Sequence, residues 1–388
     1  MKVLSLFDGI SCARVALERA GIPVEAYYAS EIDKYSIQVS QKNYPDIQHI
    51  GSVTRIKLWN DNPNAIDFYY KEGDVDLLIG GSPCQDLSIA KKDRKGLDGE
   101  RSGLFWEYVR ILREVKPKYF ILENVASMQK EAKEIITREL GVEPIMINAS
   151  LVSAQNRKRL FWTNIQGVTQ PQDKGILLKD ILEKDVDEKY IVNDYKTNWN
   201  SDKPIEVEKG KYKTLRIGGD IPTIRIGQIG NGGQGDRIYS PEGKSVALSA
   251  LGGGRGAKTG LYAVNNKEII LGTESLQVLK EGRTEEGKKS RKEIREKTGK
   301  DSTLRSATHK AYFGREGTKA NCLTTGLGME GHIVEDFVIR KLTPIECERL
   351  QGLPDNYTEG VSNTQRYKTL GNAFNVDVVA HILSFIPR

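Results

Sequence analysis

The chain is poor in cysteine, methionine, tryptophan and histidine, with only four of each in 388 residues. Cys12, Cys84, Cys322 and Cys347 lie far apart and form no C-x-x-C pair, so neither a zinc site nor a disulfide framework is indicated, and a reducing cytosol fits. No apolar run approaches the roughly 20 residues that a membrane helix needs. The N-terminus enters a strand-like run directly, without the pattern of a secretory leader. What is present, 38% hydrophobic and 28% charged residues, is the composition of a globular chain able to hold two domains.

Charge is unevenly spread. The formal net charge is +6, but residues 211–320 hold 22 Lys and Arg against 12 Asp and Glu, a local +10 that leaves −4 for the rest. Residues 211–260 also hold 13 glycines, among which Ile217, Ile221, Ile224, Ile226, Ile238, Val246, Leu248 and Leu251 are strand-like. A basic, glycine-rich insert of short strands and irregular loops suits close approach to phosphates or base edges. Residues 243–250 and 317–326 echo each other faintly, each passing from a turn to a Leu followed by small residues. Between them, residues 280–300 alternate acids and bases and read as a solvated helix or loop.

Outside that insert the pattern is α/β. Val3–Phe7 reads as a strand, followed by the turn Asp8-Gly9-Ile10-Ser11 and a helix over Ala13–Ala20 that Gly21 stops. This turn has no G-x-G-x-x-G pattern, so a dinucleotide is not indicated. The next run, Val24–Ala29, ends in Ser30-Glu31, where nucleotide-binding α/β folds hold an acid against ribose hydroxyls; a solvated strand end is the plainer reading. The run Asp76–Gly81 leads into Ser82-Pro83-Cys84-Gln85, and Pro117–Leu122 leads into Glu123-Asn124-Val125. Ligands of open α/β sheets bind beyond the carboxyl ends of strands. A thiol and a carboxylic acid would therefore share one sheet edge, although a free cysteine is by itself more often a small buried hydrophobe.

These residues are similar to those of the DNA cytosine-5 methyltransferases. The resemblance rests on Phe7-Asp8-Gly9, Glu31, Pro83-Cys84-Gln85, Glu123-Asn124-Val125, Gln155-Asn156-Arg157-Lys158-Arg159, Arg340–Gly352 and Gly371-Asn372-Ala373, in the family's order. The Phe-Asp-Gly-Ile opening looks like the de novo branch, and Pro-Cys-Gln is the bacterial and phage form. The resemblance implies a Rossmann-like, mostly parallel sheet of the class I methyltransferase fold, with a smaller, largely β and irregular target-recognition domain. It places catalysis and cofactor binding in residues 1–165, recognition in 166–337, and a return to the first domain in 338–388, including a helix over Asn375–Ile386.

The implied reaction is methylation of cytosine carbon 5 in a specific sequence of double-stranded DNA, with base flipping and a covalent cysteine adduct. Carbon 5 is a poor nucleophile, and a thiolate adding to carbon 6 makes an enamine that can attack a methyl sulfonium. By the resemblance, Cys84, Glu123, Arg157 and Arg159 are catalytic. Phe7, Asp8, Gly9, Ile10, Ser11, Glu31, Ile32, Ser52, Val53, Pro83, Leu104, Asn372 and Ala373 would hold S-adenosyl-L-methionine. Ser82, Gln85, Asn124, Val125, Gln155, Arg225, Arg237 and Arg255 would meet the DNA. Two positions depart from the family: Ser52 stands where an Asp is usual, and Ser11 where a second Gly is usual. Without the resemblance, residues 157–159 read simply as an exposed basic turn. A monomeric cytoplasmic enzyme, possible partner of a restriction endonuclease, is the expectation; transfer RNA methylation and non-catalytic DNA binding are the rival readings.

Overall fold

The computed structural model describes residues 1–59, 68–83, 103–192, 223–228, 234–249, 260–265, 280–283, 310–313 and 337–387. In chain order the first part runs β1 (Lys2–Leu6), α1 (Cys12–Arg19), β2 (Ala26–Ser30), α2 (Lys34–Asn43), β3 (Gln48–His49), β4 (Ile56–Leu58), β5 (Phe68–Tyr70), β6 (Leu77–Gly80), α3 (Leu104–Val115), β7 (Tyr119–Val125), α4 (Lys130–Leu140), β8 (Ile145–Asn148) and β9 (Lys158–Thr163). The second part contains β10 (Arg225–Gln228), β11 (Arg237–Tyr239), β12 (Leu261–Asn265), β13 (Lys280–Arg283), β14 (Lys310–Phe313) and β15 (Phe337–Arg340). Three helices follow: α5 (Pro344–Gln351), α6 (Asn363–Asn372) and α7 (Val376–Leu383).

Seven strands form one sheet in the order β3-β2-β1-β6-β7-β9-β8. All neighbours pair in parallel except β9, which runs antiparallel to both β7 and β8. Alternate strand residues bury on opposite faces, as a sheet covered on both sides requires. Val3, Leu77, Ile79 and Ile121 pack with α1 and α7, whereas Leu4, Leu6, Leu78 and Leu122 pack with α3 and α4. The order reverses between β1 and β6, and ligands of such folds dock at the carboxyl ends flanking that reversal.

Local signals fix the helix ends. Gly21 and Gly141 sit at φ 69°, a left-handed conformation open to glycine without penalty, behind α1 and α4. At α5 the Thr343 hydroxyl accepts from the Glu346 amide while Glu346 accepts from the Thr343 amide, a reciprocal cap with Pro344 in the first turn. The returning helix predicted over Asn375–Ile386 is realised as α7, whose Asn375 side chain accepts from the Val378 amide.

A four-stranded sheet, β10-β11-β12-β15, joins two strands of the glycine-rich part to β12 and β15. Its small core is Val192, Ile238, Leu261, Ala263 and Ile339. Residues 280–300, expected as a solvated helix or loop, instead begin with β13, paired antiparallel with β14. The pairing partner lies about thirty residues downstream, beyond the reach of local charge patterning. The second copy of the sequence echo, residues 317–326, lies outside the described residues.

Candidate active site

The turn after β1 is built from left-handed backbone. Phe7, Gly9 and Ser11 have φ of 56°, 61° and 60°, a conformation that glycine adopts without penalty and other residues adopt at a cost. Nothing lies within 4 Å of where a Cβ on Gly9 would stand, so its outer face is open to a ligand. The Glu31 carboxylate accepts from the Gly9 amide at 2.8 Å and from the Ile32 and Asp33 amides at 2.7 and 2.8 Å. Beside it Ile32 is 76% exposed, an apolar side chain with water on its outer face. An open glycine, an anchored acid and an exposed apolar group fit the ribose and adenine of S-adenosylmethionine.

Other members of the expected cofactor set play different parts. The Asp8 carboxylate faces inward, accepting from Ser11 Oγ at 2.5 Å and from the Tyr27 hydroxyl at 2.6 Å. Burial pushes it up to about 6, against the lowering effect of its hydrogen bonds from Ser11 and Tyr27 and with a smaller push from the Glu31 charge. Ser11 Oγ is 2.6 Å from Ser40 Oγ, which is 3.2 Å from His49 Nε2. A hydrogen-bonded chain thus runs under the turn from Asp8 to half-buried His49, whose own pKa burial lowers despite the Glu31 charge. The side chains of Asp8 and Ser11, both expected beside the cofactor, brace the turn from beneath. Ile10 is buried, with its carbonyl accepting from the Tyr357 hydroxyl at 2.8 Å. Ser52 Oγ accepts from the Thr54 amide, Val53 and Ala373 are buried, Leu104 and Pro83 are half-buried, and Asn372 is exposed.

Acid and base meet at the neighbouring strand ends. Glu123 lies near the end of β7, and Arg159 sits at the start of β9, opposite Val125. Because β9 is antiparallel, its beginning reaches the same sheet edge as the ends of β6 and β7. Arg159 Nε is 2.7 Å from Glu123 Oε1, with the two side chains 18% and 15% exposed. Gly81 lies against Glu123: a Cβ there would fall 2.9 Å from Phe374 and 3.1 Å from Glu123 Oε2. Glu123, Arg157, Arg159, Phe161, Phe374 and Asn375 line a shallow recess open to solvent.

Asn124 is buried, donating to Ser82 Oγ at 3.2 Å and accepting from the Val125 amide at 2.8 Å. It braces the approach to Pro83. Arg157 borders the recess, but its guanidinium donates to the carbonyls of Leu248 at 3.1 Å and of Gly371 and Ala373 at 3.0 Å each. Gln155, expected at the substrate, is instead fully buried: its amide donates to the Leu350 carbonyl at 3.3 Å and accepts from the Leu248 amide at 3.3 Å. Arg225 and Arg237 are half-buried on β10 and β11. Cys84, Gln85 and Arg255 lie outside the described residues. Among the described residues there is no cluster of potential metal ligands, and no helix is long and apolar enough to cross a membrane.

Sequence reasoning missed Tyr27 and His49, since no motif marks them. Tyr27 and His49 acquire roles only when β2 and β3 line up beside the first turn.

The profile of the family described as C-5 cytosine-specific DNA methylase matches residues 1–388. The chain is similar to the type II methyltransferase M.HhaI of Haemophilus parahaemolyticus, 28% identical over 98% of this chain and 93% of the relative. It is also similar to the orphan methyltransferase M.SPRI of Bacillus phage SPR, 27% identical over 98% and 96%. Among solved structures, the Schizosaccharomyces pombe Dnmt2 methyltransferase superposes with a TM-score of 0.54 at 17% identity, covering 99% of this chain and 97% of that one. The Entamoeba histolytica methyltransferase EhMeth gives 0.56 at 14% identity with the same coverage. Both share the fold, a mostly parallel sheet of the class I methyltransferase type. With that fold and a profile match along its whole length, the chain belongs to the C-5 cytosine-specific DNA methylase family and is a DNA cytosine methyltransferase.

Proposed function

We propose that the chain methylates carbon 5 of cytosine in a specific sequence of double-stranded DNA, on a base turned out of the helix, through a covalent adduct with Cys84. The observation that carries this reading is the meeting of Gly81, Glu123 and Arg159 at one sheet edge. Cys84 follows Gly81 by three residues, at most roughly 11 Å of extended chain. A base stacked in a duplex cannot bring its ring carbon to a thiol at that edge, so it is flipped into the recess.

S-adenosylmethionine supplies the methyl group, as an electrophilic sulfonium. Gly9, Glu31 and Ile32 hold it beside the first strand. Cys84 adds as thiolate to carbon 6, shifting electron density toward carbon 5. Glu123 hydrogen-bonds ring nitrogen 3 and neutralises the charge that addition leaves on the ring. Arg159, paired with Glu123, orients that acid and offers its remaining donors to the base carbonyl or flanking phosphate. Once carbon 5 is methylated, loss of its proton expels the Cys84 thiolate and restores the aromatic ring.

Residues 1–165 and 338–388 carry this chemistry and 166–337 read the sequence, a division supported by the local +10 charge of residues 211–320. The enzyme acts in the cytoplasm as a monomer, alone or beside a companion endonuclease. Duplex DNA containing 5-fluorocytosine at the target position tests the route, because fluorine blocks the final elimination. A denaturant-resistant protein–DNA complex that requires S-adenosylmethionine is expected from the native chain and not from Cys84→Ser. No such complex from an otherwise active enzyme excludes the adduct.

A further inference from the structure

Lys244 is 1% exposed, among the largest fully buried side chains of the protein. Its ammonium donates to the Ser153 carbonyl at 3.1 Å and to the Ile176 carbonyl. The residues around it are stitched to the same two segments. The Ser245 amide donates to the Ala154 carbonyl at 2.7 Å, and the Asn156 amide donates to the Ser245 carbonyl at 2.9 Å. The Leu178 amide donates to the Gly243 carbonyl at 3.0 Å. Asn156 Nδ2 donates to Thr223 Oγ1 at 2.9 Å, and Ser245 Oγ lies 3.1 Å from the hydroxyl of Tyr262 on β12. Residues 243–248 are therefore an added rung between the small sheet and the loop that leads into β9.

That loop ends at the recess. Arg157 joins Leu248 to Ala373, whose neighbour Phe374 touches the Gly81 backbone beside Glu123. Each link in this series is a hydrogen bond, a peptide bond or a packed contact, so little slack separates the small sheet from Glu123. Burying an ammonium is costly, and an apolar side chain of similar length would fill the space more cheaply. A lysine here does more than fill space.

The geometry points to Lys244 as a positioning residue that fixes the register between the DNA-reading strands and the base recess, and so sets how strictly target sequence is coupled to methyl transfer. This rests on the proposed methyl transfer. DNA seated on the small sheet brings one base to the recess only if the two keep a constant spacing, and a misplacement of about 1 Å can cost roughly 100-fold in rate.

The test uses the full chain with Lys244→Met, expressed in a host without cytosine methylation. Bisulfite sequencing of host DNA first reads the target from the unaltered protein. In the variant, methylation at the target relative to sites one base pair away should fall at least about tenfold, and the single-turnover rate roughly 10- to 100-fold. Binding of S-adenosylmethionine and the thermal midpoint should persist, which a general loss of structure would not allow. If Lys244→Met fails to fold, Thr223→Val, which removes the Asn156 bond of the same seam at nearly constant shape, should lower the ratio in the same direction. An unchanged ratio and rate in a folded variant overturns the assignment of Lys244. Absence of 5-methylcytosine with the unaltered protein overturns the methyl-transfer reading instead, and this inference with it.

Discussion

Replacing Asp8 by Asn should make the protein more stable at pH 8 and leave it nearly unchanged at pH 4. Burial raises the Asp8 carboxyl from 3.8 to about 6, so the folded protein prefers the protonated form that the unfolded chain has already lost. Between those values the folded state binds the extra proton, and stability falls as pH rises from about 4 to about 6. Above 6 the loss is complete. About two pKa units correspond to roughly 3 kcal/mol, an upper bound because the partners can relax. Asn suits the site: its oxygen can accept from the Tyr27 hydroxyl, and its amide can donate to Ser11 Oγ, which then donates to Ser40 Oγ. Urea unfolding of both proteins, without cofactor, at half-unit steps from pH 4 to 8 measures the difference. Taking the variant minus the parent cancels every carboxylate and histidine that titrates alike in both. A difference that stays flat across this range would refute the account of Asp8 as a charge held against its preference.

Glu123→Gln keeps shape and a donor but removes the acid, and single-turnover methylation should fall within the roughly 10²–10⁴-fold typical of general acid catalysis; an unchanged rate removes Glu123 from that role. Glu31→Gln leaves one oxygen where two now serve three amides, and calorimetry should show S-adenosylmethionine binding weakened about 10- to 100-fold, as for a lost hydrogen bond to a charged group. Arg340→Met strips the partner from Glu346, a pair 4% and 0% exposed with contacts of 2.6 and 2.8 Å. It should cost about 3–5 kcal/mol in denaturant unfolding, and much of that should return when Glu346→Leu is added.

Much of the first sheet can be read directly from the chain. Val3–Phe7, Asp76–Gly81 and Pro117–Leu122 are apolar runs bounded by turn residues, and they appear as β1, β6 and β7 with shifts of one to three residues at their ends. Gly21 stops α1 where expected, and Val376, Val379, Ile382, Leu383 and Ile386 all turn inward. The placement of Glu31 near the Gly9 turn is equally legible, because strand length and a right-handed crossover leave few alternatives. The roles of Gln155, Arg157 and Lys244 are not. Each is decided by carbonyls about 70 to 215 residues away, and a buried polar side chain bonded to main chain has the same sequence signature as an exposed one that meets a ligand. Asp8 is deceptive for a related reason: its motif places the backbone correctly, while the direction of its carboxylate depends on Tyr27 from the next strand.

The Tyr357 hydroxyl reaches the Ile10 carbonyl across 347 positions, Arg19 meets both Asp377 and the Gly352 carbonyl, and Lys368 meets Asp33. The helix behind the first turn therefore gains its covering only when the last fifty or so residues exist. At roughly 5–20 residues per second of synthesis, that interval lasts on the order of 20–70 s. Throughout it the inner face of α1, with Val15, Ala16 and Leu17, is apolar surface awaiting α7. The growing chain thus carries α1 and the turn before it half-covered until α7 has been made, and the ordering of that turn is timed by the arrival of α7.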